Sequence, residues 1–338
     1  MEPFAVNDLP LAQQRKAIQV VGVASGCGAR DTGCEAGADT LRTMRITARL
    51  RAHGYSARWA DIIRPAAVYR TDTLKAVRKI CVRLAKRVER IVREGDLPIV
   101  VGGDHTSAIG TWKGVAHALE HRGLVGLLWI DAHMDAHTPE TTESGMLHGM
   151  PVACLLGYGY PELTEIAHGA TLDPKCVCLY GVRSFERGEA EFLERLGVRV
   201  FFMEEIARRG IPETLREALG IVTCASAGFG ITLDLDAIDP GDAPGVGTPA
   251  PDGIRGADLV SALAEYGGHP GLAGVEVVEY NPYHDRQSAT AGLVADALIA
   301  ILAGQAALSV DGPQASTSMH GGTQLAGSRA PDKSEESA

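Results

Sequence analysis

The chain has 338 residues, 45% hydrophobic and 22% charged, with a formal net charge of −10. That size fits one large or two ordinary globular domains. No apolar run reaches the length of a membrane span, and the acidic balance argues against nucleic acid as a partner. Residues 18–23 read as a first strand. Residues 40–53 read as a helix stopped by Gly54. Leu74, Val77, Ile80, Leu84, Val88 and Ile91 recur at three- and four-residue steps, an amphipathic helix that Gly95 closes. Strands follow near 98–102, 124–131, 176–182, 198–202, 229–236 and 272–279, with short helical patterns between them at 213–219 and 257–266. A last helix covers 289–302. Alternation of this kind predicts an α/β fold, a parallel sheet with helices on both faces. Residues 309–338 are rich in Gly, Ser, Pro and charge and are expected to be a disordered tail, leaving 1–308 as a single catalytic domain.

The chemistry gathers where these strands end. The apolar run 124–130 leads into Asp131-Ala132-His133-Met134-Asp135. In an extended chain residues two apart share a face, so Asp131, His133 and Asp135 converge. Carboxylates this close repel each other unless a cation lies between them. Oxygen donors with one imidazole suit Mn, and less specifically Zn, Fe or Ni. The run 229–233 ends in Asp234-Leu235-Asp236, 98–101 runs into Gly102-Gly103-Asp104-His105, and 272–278 ends in Glu279-Tyr280-Asn281-Pro282. The C-terminal edge of an open parallel sheet is where ligands bind. A single Asp or His there is usually a turn former or helix cap. So many strand ends of this type in one chain favour a metal centre. The seven cysteines are odd in number and scattered, and Cys176-x-Cys178 lies in an apolar run. They read as reduced core residues, and residues 1–16 lack a signal-peptide core; both point to the cytoplasm.

Taken together, Gly102 to Thr106, Asp131 to Asp135, Ser144-Gly145-Met146-Leu147-His148-Gly149, Asp234 to Asp236, Gly247-Thr248-Pro249 and Glu279 to Pro282 resemble the motifs of the arginase-type ureohydrolases, in the same order. The resemblance runs from about Ile18 to about Leu302. It implies a three-layer α/β/α fold with a mostly parallel central sheet of about eight strands. It implies two Mn(2+) ions per chain and hydrolysis of a guanidino group by a metal-bridging hydroxide. By this resemblance Asp131 and Asp234 bridge the ions, His105 and Asp135 complete one site, and His133 and Asp236 complete the other. His148 resembles the proton-shuttling histidine, and Glu279 the carboxylate that pairs with the guanidinium. Thr248 lines the substrate slot. A small guanidino compound is the implied partner, and a homo-oligomer, trimer or hexamer, the implied assembly.

Substrate choice turns on the far end of the slot. Ser144 matches a serine that reads an α-carboxylate in arginases, but His137 stands where Asn is usual. A neutral imidazole N–H can still donate to a carboxylate. Glu186, following Gly181-Val182-Arg183, aligns with an acid that holds the α-amino group and is one methylene longer. L-arginine, giving L-ornithine and urea, is favoured over agmatine, 4-guanidinobutyrate or another guanidino compound. Two rival classes are a single-ion metallohydrolase such as a deacetylase and a non-catalytic binding protein on the same scaffold.

Overall fold

The computed structural model describes residues 16–66 and 72–303. Its strands are β1 (Ile18–Val23), β2 (Ala57–Ile63), β3 (Leu97–Val101), β4 (Val125–Ile130), β5 (Val177–Val182), β6 (Arg199–Phe202), β7 (Gly228–Asp234) and β8 (Leu272–Val278). They form one eight-stranded sheet in the order β2-β1-β3-β8-β7-β4-β5-β6. Every pairing is parallel. The inner strands are apolar and buried nearly end to end, as a parallel sheet covered on both faces requires.

The helices are α1 (Gly37–Thr43), α2 (Ile46–Ala52), α3 (Thr73–Arg93), α4 (Ser107–Leu119), α5 (Pro151–Leu155), α6 (Pro161–Thr164), α7 (Arg187–Leu196), α8 (Met203–Arg209), α9 (Ile211–Thr223), α10 (Gly256–Tyr266) and α11 (Ala289–Ala303). Two cores lie on opposite faces of the sheet. Leu41, Leu50, Leu219, Leu259 and Leu298 pack with Ile18, Val20 and Ile99. Leu84, Trp112, Val152 and Phe192 pack with Val21, Val23 and Val100. Alternate strand residues feed alternate cores, so the three layers follow from the two-residue period of the strands. No helix among the described residues is long and apolar enough to cross a membrane.

Three differences from the sequence reading have physical causes. The helix expected over 40–53 is two helices, broken where Arg45 takes a left-handed φ of 59°. No Gly or Pro marks that break. Strand β2 was not expected, because at the sheet edge only its terminal residues are buried and its middle, Arg58 to Ile62, mixes charged with apolar residues. Helix α4 was not singled out, because it is buried on nearly every side and has no polar stripe. The expected tail at 309–338 lies outside the described residues.

Candidate metal centre and active site

Strands β3, β8, β7 and β4 are neighbours in the sheet, so their C-terminal ends stand side by side. After β3 the chain turns at Gly102-Gly103 and places His105 just ahead of α4. A Cβ on Gly103 would come within 1.7 Å of the Ser25 carbonyl oxygen, so only glycine fits there. The Asp104 carboxylate accepts the backbone N–H of Gly28 at 2.9 Å and of Thr106 at 3.0 Å, tying the loop after β1 to this turn. Asp131 directly follows β4. Asp234 closes β7, and its carboxylate accepts the Asp236 N–H at 2.9 Å. Glu279 follows β8 and accepts the His105 N–H at 2.9 Å. Asp135 and Glu279 hold left-handed backbones, φ 48° and 62°, a conformation non-glycine residues keep only where the surroundings impose it.

These ends bring together the six residues expected to hold metal. His105 Nδ1 lies 3.1 Å from Asp131 Oδ2, 2.9 Å from Asp135 Oδ2 and 3.0 Å from Asp234 Oδ2. His133 Nδ1 lies 3.0 Å from Asp236 Oδ2 and 3.6 Å from Asp131 Oδ1. Two donor groups result, His105 with Asp131 and Asp135, and His133 with Asp131 and Asp236, and Asp131 belongs to both. The His105 ring stacks on Trp129 with centroids 4.1 Å apart, and Trp129 Nε1 donates to Asp131 Oδ2 at 2.8 Å. Asp236 also accepts the Ala132 N–H at 3.2 Å.

The electrostatics suit a cation. Burial, then repulsion from neighbouring acids, raises the pKa values of Asp234 and Asp135, the latter to about 7. Burial raises Asp236 as well. Burial would also raise Asp131, but its contacts with His105 and His133 outweigh that and hold it below the usual carboxylate range. Both ring nitrogens of the buried His105 lack a hydrogen-bond partner although three carboxylates crowd one of them. Orphaned buried nitrogens beside converging acids are the donor set of a divalent-cation site rich in oxygen, and the residues fit one.

Beside this cluster a cavity of about 260 Å³ is lined by His137, Ser144, His148, Ser184, Glu186, Thr248 and Glu279 as well as the acids. His148 Nδ1 lies 3.3 Å from Glu279 Oε1. Burial opposes protonation of His148, but the Glu279 carboxylate outweighs it and pushes the imidazole up to about 9. The His148 backbone N–H donates to Gly28 O at 3.2 Å, so the loop that Asp104 ties down also fixes His148.

At the outer end the arrangement differs from the sequence expectation. His137 Nε2 meets Glu186 Oε2 at 2.9 Å and Glu189 Oε2 at 3.2 Å, and Nδ1 meets Thr141 Oγ1 at 3.2 Å. Glu189 was missed. It is buried, accepts the Ala136 N–H at 3.2 Å and the Glu186 N–H at 3.0 Å, and forms a reciprocal capping box with Glu186 at the start of α7. The spacing Glu186-x-x-Glu189 was the available signal. Arg183 was expected only as a marker of the strand end. Its guanidinium donates to the carbonyls of Asp236, Ala237, Ala250 and Pro251, bracing the loops after β7.

The sequence model of the Arginase family matches residues 16–304. The chain is 36% identical over 299 residues to an arginase of Bacillus caldovelox, covering 86% of this chain and 99% of that one. It is 37% identical over 284 residues to an arginase of Brevibacillus brevis, covering 82% and 94%. The crystal structure of arginase from Bacillus subtilis aligns with a TM-score of 0.80 at 32% identity, covering 86% of this chain and 99% of that one.

Proposed function

The chain belongs to the arginase family, and on that premise we propose that it hydrolyses the guanidino group of L-arginine to urea and L-ornithine. The observation that carries the reading is the pair of His/Asp donor groups sharing Asp131 at the sheet edge, next to a slot closed by Glu279. Two divalent cations, Mn(2+) by the oxygen-rich donor set, are the proposed cofactor. Asp131 and Asp234 would bridge them, His105 and Asp135 would complete one site, and His133 and Asp236 the other. Four carboxylates then balance two divalent charges. When bound, the ions supply Lewis acidity and lower the pKa of water into the neutral range.

The chain's own residues do the rest. Glu279, buried at the slot wall, pairs with the substrate guanidinium and orients its carbon toward the cluster. Asp135 faces both the metal-type cluster and the slot, so it also orders the reacting groups. His148 holds a proton at Nδ1 against Glu279 and delivers it to the leaving amine. Ser144 and Thr248 line the slot beyond the guanidinium. The seven cysteines form no disulfide, which supports a cytoplasmic setting. A homo-oligomer, trimer or hexamer by resemblance, completes the reading, and sedimentation would test it.

The functional test is urea release from L-arginine, agmatine and 4-guanidinobutyrate, with metal counted per chain. L-arginine is expected to be the best substrate of the three, with two ions bound. One ion per chain would favour the single-ion metallohydrolase reading; absence of urea would overturn the proposal.

A further inference from the structure

We infer that Glu276 is a positioning residue of the metal centre, a buried clamp that sets how His105 and Asp234 face each other. The inference rests on the two-ion reading and concerns what lies one layer beneath the ligands. Glu276 stands on β8, between β3 and β7, and is not itself among the expected ligands. It is fully buried, and its partners are three hydroxyls. Its Oε1 accepts from Ser107 Oγ at 3.0 Å and from Thr111 Oγ1 at 2.7 Å, both on α4. Its Oε2 accepts from Thr232 Oγ1 at 2.7 Å, on β7. Thr232 Oγ1 in turn accepts the Trp112 Nε1–H at 3.3 Å, a second bond between α4 and β7.

The positions of these partners along the chain give the clamp its meaning. Ser107 follows His105 by two residues, and Thr232 precedes Asp234 by two on the same face of β7. One oxygen of Glu276 therefore holds the element that carries His105, and the other holds the strand that carries Asp234. His105 is the expected ligand that enters from the turn before α4; the other five follow β4 or close β7. The 3.0 Å between His105 Nδ1 and Asp234 Oδ2 thus depends on how the first turns of α4 are seated on the sheet. Strand β8 grips that start twice, since Glu279 Oε1 takes the His105 backbone N–H at 2.9 Å. A buried carboxylate with no lysine or arginine paired to it among the described residues is costly to keep in an apolar layer. An apolar side chain would spare that cost but leave three hydroxyls unpaired and α4 unanchored.

The test is titration of Mn(2+) into the metal-free full chain, followed by calorimetry and by electron paramagnetic resonance. Wild type is expected to take up two ions as a coupled pair. In Glu276→Met one of the two binding steps should weaken by about tenfold or more, the usual effect of removing a group that orients a ligand. The other step, which rests on His133 and Asp236, should hold, so two equivalents of Mn(2+) should give signals of isolated ions. Glu276→Gln keeps an acceptor for the two α4 hydroxyls and an N–H for Thr232, and should recover most of the loss. Ser107→Ala combined with Thr111→Val removes the α4 half of the clamp without touching β8 and should reproduce the one-step loss; it decides the matter if Glu276→Met does not fold. Equal weakening of both steps, or wild-type affinities with only a lower melting temperature, would reduce Glu276 to a stabiliser of the core and overturn the inference. A Gln variant as weak as the Met variant would assign the effect to charge and overturn the clamp. If wild type itself fails to bind two ions, the functional reading fails and takes this inference with it.

Discussion

Asp131, Asp135, Asp234 and Asp236 share one small volume with His105 and His133. Asp131 belongs to both donor groups. Asp131→Asn and Asp234→Asn are therefore expected to lower bound metal and activity together, with metal content per chain as the check; full metal occupancy in either variant would remove its proposed bridging role. His148 touches Glu279 and belongs to neither donor group. His148→Asn should keep its metal and lose roughly two to four orders of magnitude in kcat, the usual effect of removing a general acid–base group. Metal loss in that variant would make His148 a ligand. At this scale the sequence was most legible where acids and imidazoles follow a buried strand, as at Asp131, His133 and Asp135; their convergence comes from a bent segment with Asp135 at φ 48°, not from the period-two alternation of an extended chain. It was least legible at His137. Its carboxylate partner Glu186 lies 49 residues away at the start of α7, with Glu189 just beyond, and nothing in the local pattern announces them.

The elements show why some strands were readable and others were not. A strand buried on both faces is apolar along most of its length, so β3, β4, β7 and β8 stand out even with the buried Thr232 and Glu276; the edge strand β2 is under no such demand. The turn between β3 and α4 is a sharper constraint. Gly103→Ala would drive a methyl onto the Ser25 carbonyl, and the backbone must move to relieve it. His105 is two residues on, so this variant should lose metal affinity as well as stability, read by calorimetric metal titration. Unchanged affinity would show that the turn relaxes without moving His105. Helix α4 carries a second device. Lys113 is fully buried and its Nζ donates to the carbonyls of Thr164 and Ala170, pinning the segment after α6. Burial pushes its ammonium down to about 8 from 10.5. The folded chain therefore releases this proton earlier than the unfolded chain does. The sign follows: the desolvation cost is fully present below pH 8 and fades as pH rises from about 8 toward 10.5. At about 1.4 kcal/mol per pKa unit the swing is roughly 3 kcal/mol. Lys113→Met should lack it, so the stability difference between wild type and variant in urea denaturation should move in favour of the wild type between pH 7.5 and 10. Parallel pH profiles would sink this account.

For the molecule as a whole, one consequence of the buried acids is linkage between metal and fold. An ion that binds the native cluster and not the unfolded chain stabilises the fold by about 2.7 kcal/mol at a hundredfold excess over its dissociation constant. Chelation should lower the melting temperature by several degrees, and restoring Mn(2+) should recover it; an unchanged transition would mean that the acids tolerate their crowding unaided. The strand order has a different kind of consequence, one of timing. Strands β3 and β4 flank the site but are not neighbours; β8 and β7, made last, fit between them. His105, Asp131, His133 and Asp135 are synthesised about a hundred residues before Asp234 and Asp236. Throughout that interval β3 and β4 lack their inner neighbours, and the chain carries four of the six expected ligands. Closure of the sheet and completion of the donor set both wait on β7 and β8, and until then β3 and β4 present the unpaired edges that make an unfinished sheet sticky.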